Sequence, residues 1–116
     1  MKNLKTDFSV IYVTVPNAEN AKLIARSLIK NRLAASVNIV GPNCSMYKSE
    51  NPSSNSSIVE VSEFFLVIKT LTSLVDNVYS NVLKLNEYDC PSIINMPIEN
   101  GEEHFLSWIA KTLAQS

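Results

Sequence analysis

The chain has 116 residues, of which 46% are apolar, and its 10 basic and 11 acidic residues leave a net charge of −1. This length and composition predict one domain, residues 1–116, with a hydrophobic core of its own. Near-neutral charge disfavours a nucleic-acid-binding protein and a polybasic membrane-binding patch, because both need an excess of basic side chains.

The cysteine content and the hydropathy bear on location. Cys44 and Cys90 lie far apart and are too few for a disulfide framework, which favours a reducing compartment. Residues 1–7 read as a flexible start without the apolar stretch of a signal peptide, and no run approaches the roughly 18 apolar residues that span a membrane. These features predict a cytoplasmic protein that does not insert into membranes.

The first half of the chain predicts a strand, a helix and an interrupted strand. Residues 8–15 (FSVIYVTV) are β-branched and aromatic, and Asn17 is placed to cap the following helix, which runs to about Arg32. Residues 35–39 alternate as a half-buried strand that resumes at residues 44–48, after Gly41 and Pro42 impose a bulge or bend. The helix is expected to bury Ala21, Ile24, Ala25, Leu28 and Ile29, and to expose Glu19, Asn20, Lys22, Arg26 and Lys30.

The second half predicts a long strand, two helices and an edge strand. Residues 49–57 form a polar hairpin loop, and residues 58–71 form the next strand. Thr72 or Ser73 is expected to cap the second helix, and residues 92–98 form an edge strand because Pro97 cannot donate to a ladder. The apolar positions expected on the last two helices are Val75, Val78, Val82 and Leu85, then Phe105, Trp108, Ile109 and Leu113.

This order of elements, β-α-β-β-α-β followed by a helix, predicts an α+β fold. It is the ferredoxin-like architecture, an antiparallel sheet with two helices on one face, extended by a C-terminal helix. The strands at residues 8–15 and 64–68 are apolar on both faces, whereas a sheet with one solvated face should alternate. The C-terminal helix can cover part of the second face, and we expect sister subunits to cover the rest.

Five segments in register resemble the CutA family of divalent-cation-tolerance proteins. They are LAASVNI at 33–39, SMYKSE at 45–50, EFFLVIKT at 63–70, NEYDCP at 86–91 and FLSWI at 105–109. The resemblance implies a ferredoxin-like subunit, a tight homotrimer and a role in tolerance of copper and other divalent cations. It implies no particular enzyme reaction.

The chain departs from the family pattern at several positions. Ser36 stands where the family has a cysteine, Ser49 where it has a tryptophan, and Asn86 where it has a histidine. Thiol and imidazole are ligands that soft and borderline metals prefer, so these changes weaken a metal role taken over from relatives. The matching polar and aromatic positions are Tyr47, Glu63, Lys69, Thr70, Tyr88, Pro91 and Trp108.

The remaining soft ligands are Cys44, Cys90, Met46, Met96 and His104. Cys44 and Met46 lie two apart on one strand face and offer two sulfurs to Cu(I), but the ordinary interpretation is a small buried thiol beside a gap-filling thioether. His104 reads as a solvated surface residue. We therefore assign no metal ligands and no certain cofactor; copper or another divalent cation is the candidate that the resemblance supplies.

The predicted site is a cleft between subunits lined by Tyr47, Glu63, Lys69 and Tyr88. Glu63 and Lys69 share one face of one strand about 20 Å apart, so each must meet something else, plausibly across a subunit boundary. Two interpretations stay open: a pocket for an anion or small polar ligand, and a set of interface hydrogen bonds that fix the register of the trimer.

Enzymatic and RNA-binding functions are disfavoured. The turn after the first strand, residues 15–18, has no glycine to cradle a phosphate, and the chain has one histidine. Phe64 and Phe65 suit an RNA-recognition strand, but its glycines and basic residues are absent. We predict a trimeric metal-response or metal-binding protein that is not an enzyme. The alternative is a trimeric sensor or scaffold that binds a small polar ligand or a protein partner in its cleft.

Overall fold

The computed structural model describes residues 7–50 and 57–114. The predicted flexible start at residues 1–7 and the predicted loop at residues 49–57 fall largely outside these ranges. The elements are β1 (Phe8–Val15), α1 (Ala18–Lys30), β2 (Ser36–Lys48), β3 (Ile58–Leu71), a 3-10 turn (Thr72–Leu74), α2 (Val75–Leu85), β4 (Ile93–Pro97) and α3 (Glu103–Thr112).

The four strands form one antiparallel sheet in the order β2-β3-β1-β4. This confirms the predicted ferredoxin-like architecture with an added C-terminal helix. The bounds of β1 and β3 are those predicted, and β4 lies at an edge, where Pro97 ends the strand. β1 and β3 are the central strands, so their side chains decide what each face of the sheet presents.

One face of the sheet packs against α1 and α2. Because side chains alternate along a strand, Ile11, Val13 and Val15 of β1 point to the same side as Leu66 and Ile68 of β3. These residues form one core with the buried stripes of the two helices, whose members are Ala21, Ile24, Leu28, Val75, Val78 and Val82.

The opposite face, here called the open face, is covered at one end only. There α3 packs Leu106, Ile109 and Leu113 into a second cluster with Phe8, and Leu71 borders it. This confirms that the C-terminal helix covers part of this face. Beyond α3 the open face presents further strand side chains, among them Val10, Tyr12, Phe65, Val67, Ile94 and Met96.

β2 and β3 extend past the sheet as a two-stranded arm. The register shifts between Val40 and Asn43, which confirms the predicted bulge. Gly41 has φ +147°, and a Cβ there would lie 2.7 Å from the Phe64 ring, so this position requires glycine. The arm contributes to a radius of gyration of 16.0 Å, against about 13 Å for a compact domain of this size.

The helix faces differ from prediction in several places. Asn20 was expected in solvent but is 1% exposed, whereas Ile29 was expected in the core and is exposed. The predicted cap of α2 by Thr72 or Ser73 is wrong, because a 3-10 turn precedes the helix and no side chain caps it.

The last helix buries a different set of residues from the one predicted. Phe105 and Trp108 are exposed and stack on each other with ring centroids 5.8 Å apart, while Leu106 takes a buried position. Glu102 caps the helix by accepting hydrogen bonds from the backbone N–H groups of His104 and Phe105. These bonds lower the pKa of the Glu102 carboxyl below its usual value.

A pair of leucines tests the assignment of the core. Leu66 is 0% exposed and Leu23 is 51% exposed. We expect Leu66→Ala to lower the free energy of unfolding by about 2–5 kcal/mol through lost burial and a cavity. Leu23→Ala should change it by less than about 0.5 kcal/mol. Urea unfolding at one fixed protein concentration measures both, and equal losses would contradict the assignment.

Candidate functional site

Glu63 and Tyr88 form the centre of the candidate site. The Tyr88 hydroxyl donates a 2.7 Å hydrogen bond to the Glu63 carboxylate. Glu63 lies on β3 opposite Asn43, where the β2 bulge ends, and is only 9% exposed. The structure thus joins two of the four predicted residues, which are 25 positions apart in the chain.

The connection between α2 and β4 places Tyr88 through asparagine side chains. Asn86 accepts a hydrogen bond from the Tyr88 N–H (2.8 Å) and donates one to the carbonyl of Thr14 (3.0 Å). Asn20 donates to the carbonyl of Leu85 and accepts from the N–H of Glu87, both at 3.0 Å. The Asn86 amide therefore fixes the backbone of this connection.

The environment of Tyr88 keeps its hydroxyl protonated. Burial raises its pKa to about 12, with further contributions from the hydrogen bond to Glu63 and the charges of Glu63 and Tyr47. Tyr47, on β2, pairs with Val59 and lies four strand residues beyond Asn43, the residue opposite Glu63. With a carboxylate at its centre, the cluster suits a cation or a hydrogen-bond donor better than an anion.

Lys69 is not part of this cluster within one chain. It lies six residues from Glu63 on β3, about 20 Å along the strand. Its ammonium donates to the side-chain carbonyl of Asn38 on the neighbouring strand. Within one chain, hydrogen bonds therefore join Tyr88 to Glu63 and Lys69 to Asn38, and Tyr47 lies further along the arm on the same face.

The soft metal ligands are dispersed, and one predicted environment is wrong. Cys44 and Cys90 are both exposed free thiols, so the interpretation of Cys44 as buried does not hold. Partial desolvation and the neighbouring Glu60 carboxylate raise the pKa of the Cys44 thiol. Met46 pairs directly with Glu60 across the arm, so a thiol, a thioether and a carboxylate share one face there.

The described residues of one chain do not bring a complete set of metal ligands together. Across residues 7–50 and 57–114, no three His, Cys, Asp or Glu side chains converge as metal ligands. His104 is exposed and hydrogen-bonds Glu102 at the start of α3, as expected of a surface histidine. The His, Cys, Asp and Glu side chains of this described part of one subunit therefore do not by themselves supply the three or four ligands of a resident metal ion.

Sequence reasoning missed the positioning residues Asn20, Asn38 and Asn86. A signal existed for Asn20, because it shares the helical spacing of the buried Ile24 and Leu28. No comparable signal marked Asn38, whose partner is the Lys69 side chain, or Asn86, whose partners are backbone groups that the fold brings close.

The fold and the site together describe a ferredoxin-like subunit with a half-covered sheet. The sequence model of the CutA1 divalent ion tolerance protein matches residues 9–112. The chain belongs to this family.

Relatives and solved structures agree with this assignment. Protein CutA, chloroplastic, of Arabidopsis thaliana is 40% identical over 86% of this chain, which spans 52% of that relative's length. The divalent-cation tolerance protein CutA of Thermus thermophilus is 36% identical, with 86% of this chain and 92% of that protein covered. The crystal structure of CutA1 from Oryza sativa superposes with a TM-score of 0.85 at 38% identity, covering 97% of this chain and 98% of that one.

Tyrosinate absorbance tests the Glu63–Tyr88 pair. Because Tyr88 has a raised pKa in the folded protein, its contribution to stability is full below pH 10 and is lost as pH rises through about 12. We expect an absorbance component near pH 12 that disappears in Tyr88→Phe, moves to lower pH in Glu63→Gln and persists in Tyr79→Phe. A component unaffected by Tyr88→Phe would contradict the assignment.

Proposed function

We propose that this chain assembles as a homotrimer and acts in divalent-cation tolerance, as a copper-responsive or metal-binding protein rather than an enzyme. The observation that carries the proposal is the open face, which is apolar and only partly covered by α3. Ile94 and Met96 on this face are 55% and 47% exposed in the single chain. Apolar surface of this kind favours association, and a closed ring of subunits covers it on every copy.

The arm of β2 and β3 supports the same assembly. It extends past the sheet and presents unpaired strand edges, which pair readily with another chain. Family membership supports three subunits, because the resemblance to CutA proteins implies a trimer. No helix in the described parts of the chain is long and apolar enough to cross a membrane.

The thiol state supports a cytoplasmic site of action. Cys44 and Cys90 are exposed and unpaired, a state that a reducing compartment preserves. Relatives carry other locations in their names, since the Arabidopsis protein is called chloroplastic and the Archaeoglobus fulgidus protein periplasmic. The proposal for this chain therefore rests on its own cysteines.

A second candidate function is a trimeric sensor or scaffold. Its inter-subunit cleft, lined by Tyr47, Glu63, Lys69 and Tyr88, would take a small polar ligand or a protein partner. The observation that favours it is the short hydrogen bond between Glu63 and Tyr88, which preorganises a carboxylate beneath the open face. A ligand that presents a hydrogen-bond donor or a positive charge suits this group.

The mass of the protein in solution tests the assembly. We expect sedimentation equilibrium at micromolar concentration to give about three times the 12.9 kDa mass of the chain, because the open face is stable only when covered. Met96→Glu places a charge on this face and should weaken association, whereas Leu83→Glu on the outer side of α2 should not. A folded wild-type monomer at this concentration would refute the proposed trimer.

Copper titration under reducing conditions tests the metal-binding part. Thiolates bind Cu(I) strongly, and Cys44→Ser removes the thiol beside Met46 and Glu60. We therefore expect this substitution to weaken copper binding about tenfold or more. Cys90→Ser is the matched variant at a thiol outside the arm. A copper affinity that is unchanged in both variants would contradict thiol-based copper binding.

A further inference from the structure

Glu63 is a buried carboxylate with an incomplete set of partners. It is 9% exposed, and in the described part of the chain its one hydrogen bond comes from the neutral hydroxyl of Tyr88. A carboxylate offers about four acceptor positions, and a buried charge is ordinarily paired. The site therefore lacks a cation or further donors.

Lys69 has the complementary deficiency. Its ammonium is half-buried at the other end of the same strand face and donates to the amide oxygen of Asn38, a neutral acceptor. An ammonium carries three donors and one positive charge. At about 20 Å along a straight strand, Lys69 and Glu63 of one chain cannot meet.

Glu63 and Lys69 are also the two charged residues among the described strand positions of the open face. Among the strand residues that alternate onto the open face, β1 contributes Val10, Tyr12 and Thr14, and β4 contributes Ile94 and Met96. On β2 and β3 the remaining open-face positions are polar but uncharged, apolar or aromatic: Ser36, Asn38, Val40, Asn43, Ser45, Tyr47, Val59, Val61, Phe65, Val67 and Leu71. One acid and one base thus stand at separate points of a face that must be covered.

We infer that the ammonium of Lys69 from a neighbouring copy enters the Glu63–Tyr88 group and completes it. Each subunit then donates Lys69 to one neighbour and accepts the other neighbour's lysine on Glu63. This arrangement is heterologous, so it closes in a ring in which every copy has both charges paired. The inference rests on the proposed assembly and deepens it by assigning the charges that set its register.

The chemistry favours a second copy over an independent anion or cation. A negative ligand would face the Glu63 carboxylate, and the Tyr88 hydroxyl already donates its proton there. A free cation would satisfy Glu63 but leave Lys69 unpaired on a face that assembly buries. A neighbouring copy satisfies both residues with one contact.

Charge reversal tests the inference. We expect Glu63→Lys and Lys69→Glu each to raise the dissociation constant of the oligomer about thirtyfold or more, since each places two like charges together in a desolvated contact. The double variant, with both substitutions in every chain, should recover association to within about threefold of wild type. Glu60→Lys is the matched control, because it reverses a charge on the same strand but on the other face, and it should leave the mass unchanged.

A neutral pair keeps the test decisive if a reversal variant fails to fold. Glu63→Gln and Lys69→Met remove the charges with little change of shape, and circular dichroism verifies their folding. If the two residues contact each other, the double variant associates as strongly as the single variant that shows the larger loss of association. The inference is overturned if the two single-variant losses of association multiply in the double variant. It is also overturned if Glu63→Gln weakens association and Lys69→Met does not, which is the signature of a free cation.

The outcome separates this inference from the proposed function. A wild-type monomer would refute the assembly itself. A wild-type oligomer that tolerates Lys69→Glu would refute only the inferred contact.

Discussion

The sheet of this protein is apolar on both faces, and one chain carries enough helix to cover only one of them. α1 and α2 bury the side that holds Ile11 and Leu66, and α3 reaches one end of the other side. The remaining apolar strand surface favours association with another surface. The assembly proposed for this chain follows from this property of the sheet.

The candidate site depends on asparagine side chains that fix backbone. Asn20 and Asn86 hold the connection after α2 against α1 and β1, and this connection carries Tyr88 to Glu63. A hydrogen-bonded amide costs little to bury, whereas a lost partner leaves backbone groups unpaired in the interior. The site is therefore held by the subunit core, although it opens onto the face that other subunits would cover.

The side chains that fix the candidate site are not soft metal ligands, because Asn86 is committed to backbone hydrogen bonds. The exposed soft ligands Cys44 and Met46 lie on the arm instead.

Local patterning determined the elements of this protein, and tertiary structure determined its site. Strand alternation, the Asn17 cap and the Gly41–Pro42 break are local features, so the sequence alone predicted β1, β3, the bulge and the open face. Burial on helices was predicted less well, because Asn20, Ile29 and Phe105 take their environments from elements distant in the chain. Strand spacing alone separated Glu63 from Lys69, but only the fold could join Glu63 to Tyr88, since a hydrogen bond across 25 residues depends on packing rather than on sequence spacing.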